Sequence, residues 1–221
     1  MDERIEVFFS FRSPYSWMGC HRLEQVKARL PGITLEYIPV FPPPGAPEPI
    51  ISADPRRMHY AFEDVARFAT AYGLEMRQPA TRDTVWMRPH AAFLAARDAG
   101  LAVAFIEEAY RARFQRSCDL ADDVVLAGVA DAIGLAPSLV LEAADSPARH
   151  EQVKAGLLHF VKLGLFGVPA FVFRGQRFWG NDRLEWLLRA VDQACGRPVT
   201  DLCADPIGSP LVPVATPPPR G

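Results

Sequence analysis

The chain has 221 residues, is 49% hydrophobic and carries a formal net charge of -2. Such a length and apolar share can bury the core of one domain with room for a sizeable insertion, and they exclude extended disorder away from the ends. Lys and Arg are scattered and the pI is near 6.2, so the electrostatic footprint of a nucleic-acid or anionic-membrane binder is absent.

From the N-terminus, Ile5, Val7, Phe9 and Phe11 alternate with Glu6, Phe8 and Ser10, the pattern of a strand with one face fully buried. Pro14 suits the first turn of a helix, where its missing N–H costs nothing. Trp17, Leu23, Val26 and Leu30 give that helix an apolar side, predicted to run to Leu30 before Pro31-Gly32 closes it. A second strand over 33–40 is ended by Phe41-Pro42-Pro43-Pro44-Gly45. The pattern then turns helical, over 55–72, 85–99, 103–114, 121–133, 137–144 and 147–165, with Gly73, Gly100 and Gly134 as punctuation. Ala170-Phe171-Val172-Phe173, a turn at Arg174-Gly175, and Arg177-Phe178-Trp179 read as a hairpin. A last helix is predicted over 182–195, with Asn181 or Asp182 as its N-cap.

The order is β-α-β, a helical block, then β-β-α. It predicts an α/β, thioredoxin-like fold with an all-α domain inserted between the βαβ and ββα halves. The expected boundaries are 1–42 and 166–198 for the discontinuous thioredoxin-like domain, 43–165 for the insertion, and 199–221 for a Pro-rich tail, extended or disordered.

Cys20, Cys118, Cys195 and Cys203 form no Cys-x-x-Cys pair, and no His stands near them at ligand spacing. No metal is therefore expected, and a reduced, cytoplasmic setting is. No apolar run reaches the roughly 18 residues of a membrane span, and Met1-Asp2-Glu3-Arg4 leads straight into a strand, so neither anchor nor signal peptide is expected.

Ser13-Pro14-Tyr15-Ser16 falls where a strand ends and a helix begins, the place a thioredoxin-like fold gives to a redox Cys-x-x-Cys. With serine in both cysteine positions no active-site disulfide can form. A hydroxyl there can still hold a thiolate supplied by another molecule, helped by the unpaired N–H groups of the first helical turn. The plainer reading makes Ser13 a helix N-cap, a position that favours serine. Cys20 lies roughly two turns beyond Ser13 and reads as buried and inert.

Ser13-Pro14-Tyr15-Ser16-Trp17, together with Phe166-Gly167-Val168-Pro169-Ala170-Phe171 and Phe178-Trp179-Gly180-Asn181-Asp182-Arg183-Leu184, resembles the 2-hydroxychromene-2-carboxylate isomerases and their relatives, the kappa-class glutathione transferases. The resemblance covers nearly the whole chain, and its C-terminal part is the specific one. It implies a glutathione-dependent enzyme, active as a homodimer, whose second substrate is a small aromatic electrophile. Ser13 would hydrogen-bond the glutathione sulfur. Val168, before a typically cis Pro169, would pair with the cysteinyl part, while Gly180, Asn181 and Asp182 would receive the γ-glutamyl end. Arg57 fills the place of a family Lys, and Arg57 or Arg56 would hold the glycyl carboxylate. Tyr15, Trp17, Phe41, Trp86 and His90 are the expected lining of the substrate pocket.

Energetics agree with that role for Ser13. A thiol of pKa ~8.5 needs a shift of ~1.5 units, roughly 2 kcal/mol, to be half ionised at pH ~7. One hydrogen bond to a charged group contributes ~1.5–3 kcal/mol and a helix N-terminus up to ~2. In an isomerase the thiolate would add, allow rotation and leave, whereas in a transferase the adduct would be the product. Two rivals remain open on the sequence: a thioredoxin-like module that holds an extended peptide without catalysis, and a disulfide oxidoreductase working through Cys20.

Overall fold

The computed structural model describes residues 3–41, 54–78 and 85–199. The Pro-rich stretch 42–52 and the tail from 200 onward lie outside the described residues. Strand β1 (Glu3–Phe9) pairs in parallel with β2 (Ile33–Pro39), Ile5 opposite Leu35. It pairs antiparallel with β3 (Ala170–Phe173), Phe8 opposite Ala170. β3 returns through Arg174-Gly175 into β4 (Gln176–Trp179), giving the order β2-β1-β3-β4. Both turn residues have positive φ, 47° and 78°, which matches the twist of a two-residue hairpin.

Helix α1 (Pro14–Gln25) follows β1, and among the described residues six α-helices stand between β2 and β3: α2 (Pro55–Ala71), α3 (Met87–Asp98), α4 (Ala102–Tyr110), α5 (Asp123–Ala132), α6 (Pro137–Asp145) and α7 (Pro147–Lys162). Helix α8 (Leu184–Ala194) is the last described element. This is the thioredoxin-like architecture with inserted helices that the order of elements predicts.

On one face of the sheet Ile5, Val7, Phe9, Phe171 and Phe173 share a core with Leu23 of α1, Phe93 of α3, Phe105 of α4 and Leu187 and Val191 of α8. On the other, Phe8 and Val172 meet Phe160 of α7 and Leu165. β1 is thus buried on both faces, not one as its alternation suggests, because α7 lies over the side that carries Phe8. The aromatic rings around Phe9, Phe11, Phe93 and Phe105 meet edge to face at 5.1–6.3 Å, each pair adding ~0.5–1.5 kcal/mol beyond its buried area.

Several boundaries differ from the sequence expectation, and four of them have a local cause. β1 stops at Phe9 because the chain turns at once: Ser13 N–H bonds the Ser10 carbonyl at 3.0 Å. The first helix ends at Gln25, and 27–29 tighten into a 3-10 turn in which Leu30 N–H reaches the Lys27 carbonyl. α4 widens after Tyr110 into a π-helical turn, Arg111–Gln115. Neither Asn181 nor Asp182 caps α8: both lie in a 3-10 turn, Asn181–Arg183, and Arg183 holds the cap position without a side-chain bond.

Candidate active site

The segment Ser10–Ser13 leaves the C-terminal end of β1 and is fixed from three sides. Ser16 Oγ accepts the Ser10 N–H at 3.3 Å. Tyr110 donates its hydroxyl to the Ser10 carbonyl at 2.9 Å. His90, fully buried in α3, lies 2.5 Å from the Trp86 carbonyl through Nδ1, and through Nε2 3.2 Å from Phe11 N and 3.1 Å from Ser10 Oγ. A carbonyl can only accept, so Nδ1 carries the proton and Nε2 accepts from the Phe11 N–H and the Ser10 hydroxyl. Burial drives the His90 pKa down to about 4, which keeps the ring neutral and this wiring intact at neutral pH.

Ser13, half-buried, is the N-cap of α1 with extended backbone angles, and its Oγ accepts the Ser16 N–H at 3.1 Å. The cap uses the acceptor side of the hydroxyl and leaves its proton without a partner among the described residues. Pro14 has no N–H, and the Tyr15 N–H has no partner among the described residues either. Two donors therefore remain at the positive end of a 12-residue helix, an arrangement that favours an anion. Among the described residues no thiol joins them: Cys20 is buried, in no disulfide, and its pKa is raised by burial.

Opposite α1 the Val168-Pro169 peptide is cis. A Cβ on Gly19 would stand 2.9 Å from Pro169 Cγ, so the absence of a side chain at 19 is what lets α1 and the Pro169 loop approach. The Pro169 carbonyl accepts the Gly180 N–H at 2.9 Å. Gly180 has φ 112° and ψ 152°, a region restricted in practice to glycine. Its fold delivers the turn that follows: Asn181, buried, donates through Nδ2 to the Tyr72 hydroxyl at 3.4 Å, and Asp182 is exposed and ion-paired with Arg183. Arg22 lies over the Tyr72 ring at 4.5 Å and pairs with Glu185 at 3.2 Å. Since Phe8, Ala170 and Trp179 stand side by side across the sheet, Ser13, Val168, Pro169, Gly180, Asn181 and Asp182 all gather at one end of it.

The other predicted site residues fall into separate groups. Phe41, Trp86 and His90 cluster, with Phe41 6.2 Å from Trp86 and 5.7 Å from His90; His90 is beneath the loop, not on an open surface. Trp17 is buried and stacks on Phe114 at 5.4 Å as part of the core. Tyr15 turns the opposite way and donates its hydroxyl to Asp64 of α2 at 3.0 Å. Arg57 is exposed in the first turn of α2, its charge beside Asp54. Ser10, Tyr110, Tyr72 and Gly19 shape the site without having been singled out from the sequence. Gly19, isolated inside a helical pattern, is the one that carried a readable signal.

Fold and site define a class: the model of the DSBA-like thioredoxin domain matches residues 4–192, and the chain belongs to that family. Within it, the chain is 30% identical over 197 residues to the 2-hydroxychromene-2-carboxylate isomerase of Sphingobium xenophagum, covering 85% of this chain and 97% of that protein. The isomerase of the same name from Pseudomonas putida is 24% identical over 196 residues, 86% of this chain and 95% of its own. This is a member of the 2-hydroxychromene-2-carboxylate isomerase family. A solved structure of such an isomerase superposes with a TM-score of 0.76 at 23% identity, over 87% of this chain and 96% of that one, a likeness of fold. Among the described residues no helix is long and apolar enough to cross a membrane.

Proposed function

We propose that this chain is a glutathione-dependent cis-trans isomerase acting on a conjugated aromatic carboxylate of the 2-hydroxychromene-2-carboxylate type. The observation that carries the reading is the Ser13 hydroxyl, whose oxygen accepts the Ser16 N–H while its proton has no partner among the described residues at the N-terminus of α1. Tested against glutathione, the residues present fit: two donors for a sulfur anion, a Val168 backbone for an extended peptide, an exposed Asp182 carboxylate for an ammonium. Arg57 has an exposed cation for the glycyl carboxylate, though nothing draws it toward Ser13.

Glutathione, when bound, would supply a thiolate for reversible addition to a conjugated double bond, the chemistry that permits rotation about a single bond. Ser13 donates to the sulfur and, with the Tyr15 N–H and the helix terminus, favours its anionic form. His90 and Tyr110 hold the Ser10–Ser13 segment in register for that donation. Asn181 and Asp182 fix the amino end of the tripeptide on the turn before α8. Phe41 and Trp86 supply flat apolar surface for the aromatic part.

Calorimetric titration with glutathione, then thiolate absorbance against pH, tests the reading on wild type and Ser13→Ala. Binding with a thiol pKa below the free value of ~8.5, raised again in the variant, is expected. Absence of binding at millimolar glutathione, or a thiol pKa indifferent to Ser13, overturns it in favour of a peptide-holding module. Turnover of 2-hydroxychromene-2-carboxylate without loss of free thiol is expected; depletion of thiol would make the chain a transferase.

A further inference from the structure

One cation in the inserted helices is left without an explanation by this chemistry. Arg113 lies in the π-helical turn that follows α4, and π-turns inside helices recur at functional positions. It is 4% exposed. Its Nε and Nη1 are buried and have no hydrogen-bond partner among the described residues. Buried guanidinium groups are ordinarily paired, because unmet charged donors forfeit their hydration without return. Asp119 attracts Arg113 across space, but its Oδ1 receives the Ala121 N–H at 3.0 Å. Tyr110 also faces it, and Arg12 adds repulsion; burial, the largest influence, lowers the Arg113 pKa to about 10, so it remains a cation at neutral pH.

What surrounds the guanidinium is aromatic. Its central carbon stands 4.3 Å from the centre of the Trp86 ring and 5.3 Å from that of Phe114. Trp86 is the residue whose carbonyl orients His90, and His90 in turn holds Ser10 and Phe11. Arg113 is thus linked through one indole and one imidazole to the loop that presents Ser13. Phe41, partly exposed, packs on both Trp86 and His90.

We infer that Arg113 is the specificity residue for an anionic substrate: a planar aromatic acid packs against Phe41 and Trp86 and places its carboxylate in the guanidinium fork. A fork of fixed geometry suits a carboxylate better than a point charge does. The inference rests on the proposed function for the aromatic acid, and on Arg113 alone for the charge it requires.

The test is binding of trans-2-hydroxycinnamate and of its uncharged primary amide, followed by tryptophan fluorescence without glutathione. Wild type is expected to prefer the acid by at least about tenfold, the discrimination of a charge-assisted bidentate pair. Arg113→Met, similar in length and free of buried charge, is expected to abolish the preference while binding the amide and glutathione as wild type does. Arg113→Lys keeps a cation without the fork and should weaken the acid about three- to tenfold, which decides the matter even if the methionine variant fails to fold. Equal binding of acid and amide by wild type, or an acid preference that survives either substitution unchanged, overturns the inference. Failure of glutathione to bind wild type would overturn the proposed function through a separate readout and leave the acid preference standing.

Discussion

The two sides of the Ser13 segment are built by different means. On one side, Ser13, Val168, Gly180, Asn181 and Asp182 present a cap hydroxyl, backbone groups and a tight turn, and their positions follow from strand ends and from two glycines, Gly19 and Gly180, that permit close approach. On the other, Phe41, Trp86, His90, Tyr110 and Arg113 are brought together only when α3 and α4 pack on the end of the sheet. In the proposed reading, the first side would accept the extended thiol peptide and the second would carry the aromatic and charged groups that distinguish one electrophile from another.

His90 is the joint between the two sides, and altering it has the largest expected effect. His90→Leu would leave the Phe11 N–H and the Trp86 carbonyl buried without partners, at about 1–3 kcal/mol for each. A fall in melting temperature of roughly 5–15 °C is expected for a chain of this size, together with reduced turnover because the Ser13 segment is no longer held. Equal stability would mean that the two sides are not coupled through this ring.

The same residue sets a pH dependence. Its folded pKa, about 4, lies below the usual 6.5, so between these values the unfolded chain binds the extra proton. The stability associated with neutral His90 is complete above pH ~6.5 and is lost as pH falls toward ~4, by about 3 kcal/mol in all. His21 is shifted in the same direction by burial, so denaturation at pH 7 and at pH 5 should be compared in wild type and His90→Asn. A flatter pH response in the variant is expected; an unchanged one would assign the effect elsewhere.

Gly19→Val addresses the sheet end alone. Its Cβ would meet the Pro169 ring and, at 3.4 Å, Phe171, so overpacking of about 1–3 kcal/mol is expected. Glutathione affinity should fall with it, because Val168 moves with Pro169, while the acid preference set by Arg113 is retained. Parallel losses of both ligands would show that the two sides do not separate.

The contrast between the sides also explains what the sequence made legible. Strand alternation, proline at helix starts and glycine at helix ends are local signals, and they located the hairpin, the helices and Ser13. The 180–184 turn was recognisable as a motif, yet its 3-10 geometry was not, because Asn and Asp serve equally well in caps and in turns. Phe8 gave no hint of a second buried face, since the helix that covers it begins at Pro147. Arg113, in the run Arg111-Ala112-Arg113-Phe114-Gln115-Arg116, looks like one solvated charge among several. What separates it from Arg111 and Arg116 is that these two pair with Glu107 and Glu108 on the surface, while Arg113 faces inward to Trp86. Such an assignment depends on tertiary packing and has no local signature.

The smallest expected effect comes from Tyr15, whose sequence position suggests the substrate side and whose hydroxyl instead reaches Asp64 on α2. The bond is partly buried, and Asp64 keeps a second, longer contact to Arg67 at 3.9 Å. Tyr15→Phe should therefore cost about 0.5–1.5 kcal/mol in denaturant unfolding. Its ring still packs against Phe68, so the attachment of α2 to α1 is kept, and affinity for aromatic acids should stay within twofold of wild type. If that affinity fell fivefold or more with glutathione binding intact, Tyr15 would belong to the substrate side, and the division between sheet end and insertion would have to be redrawn through α1.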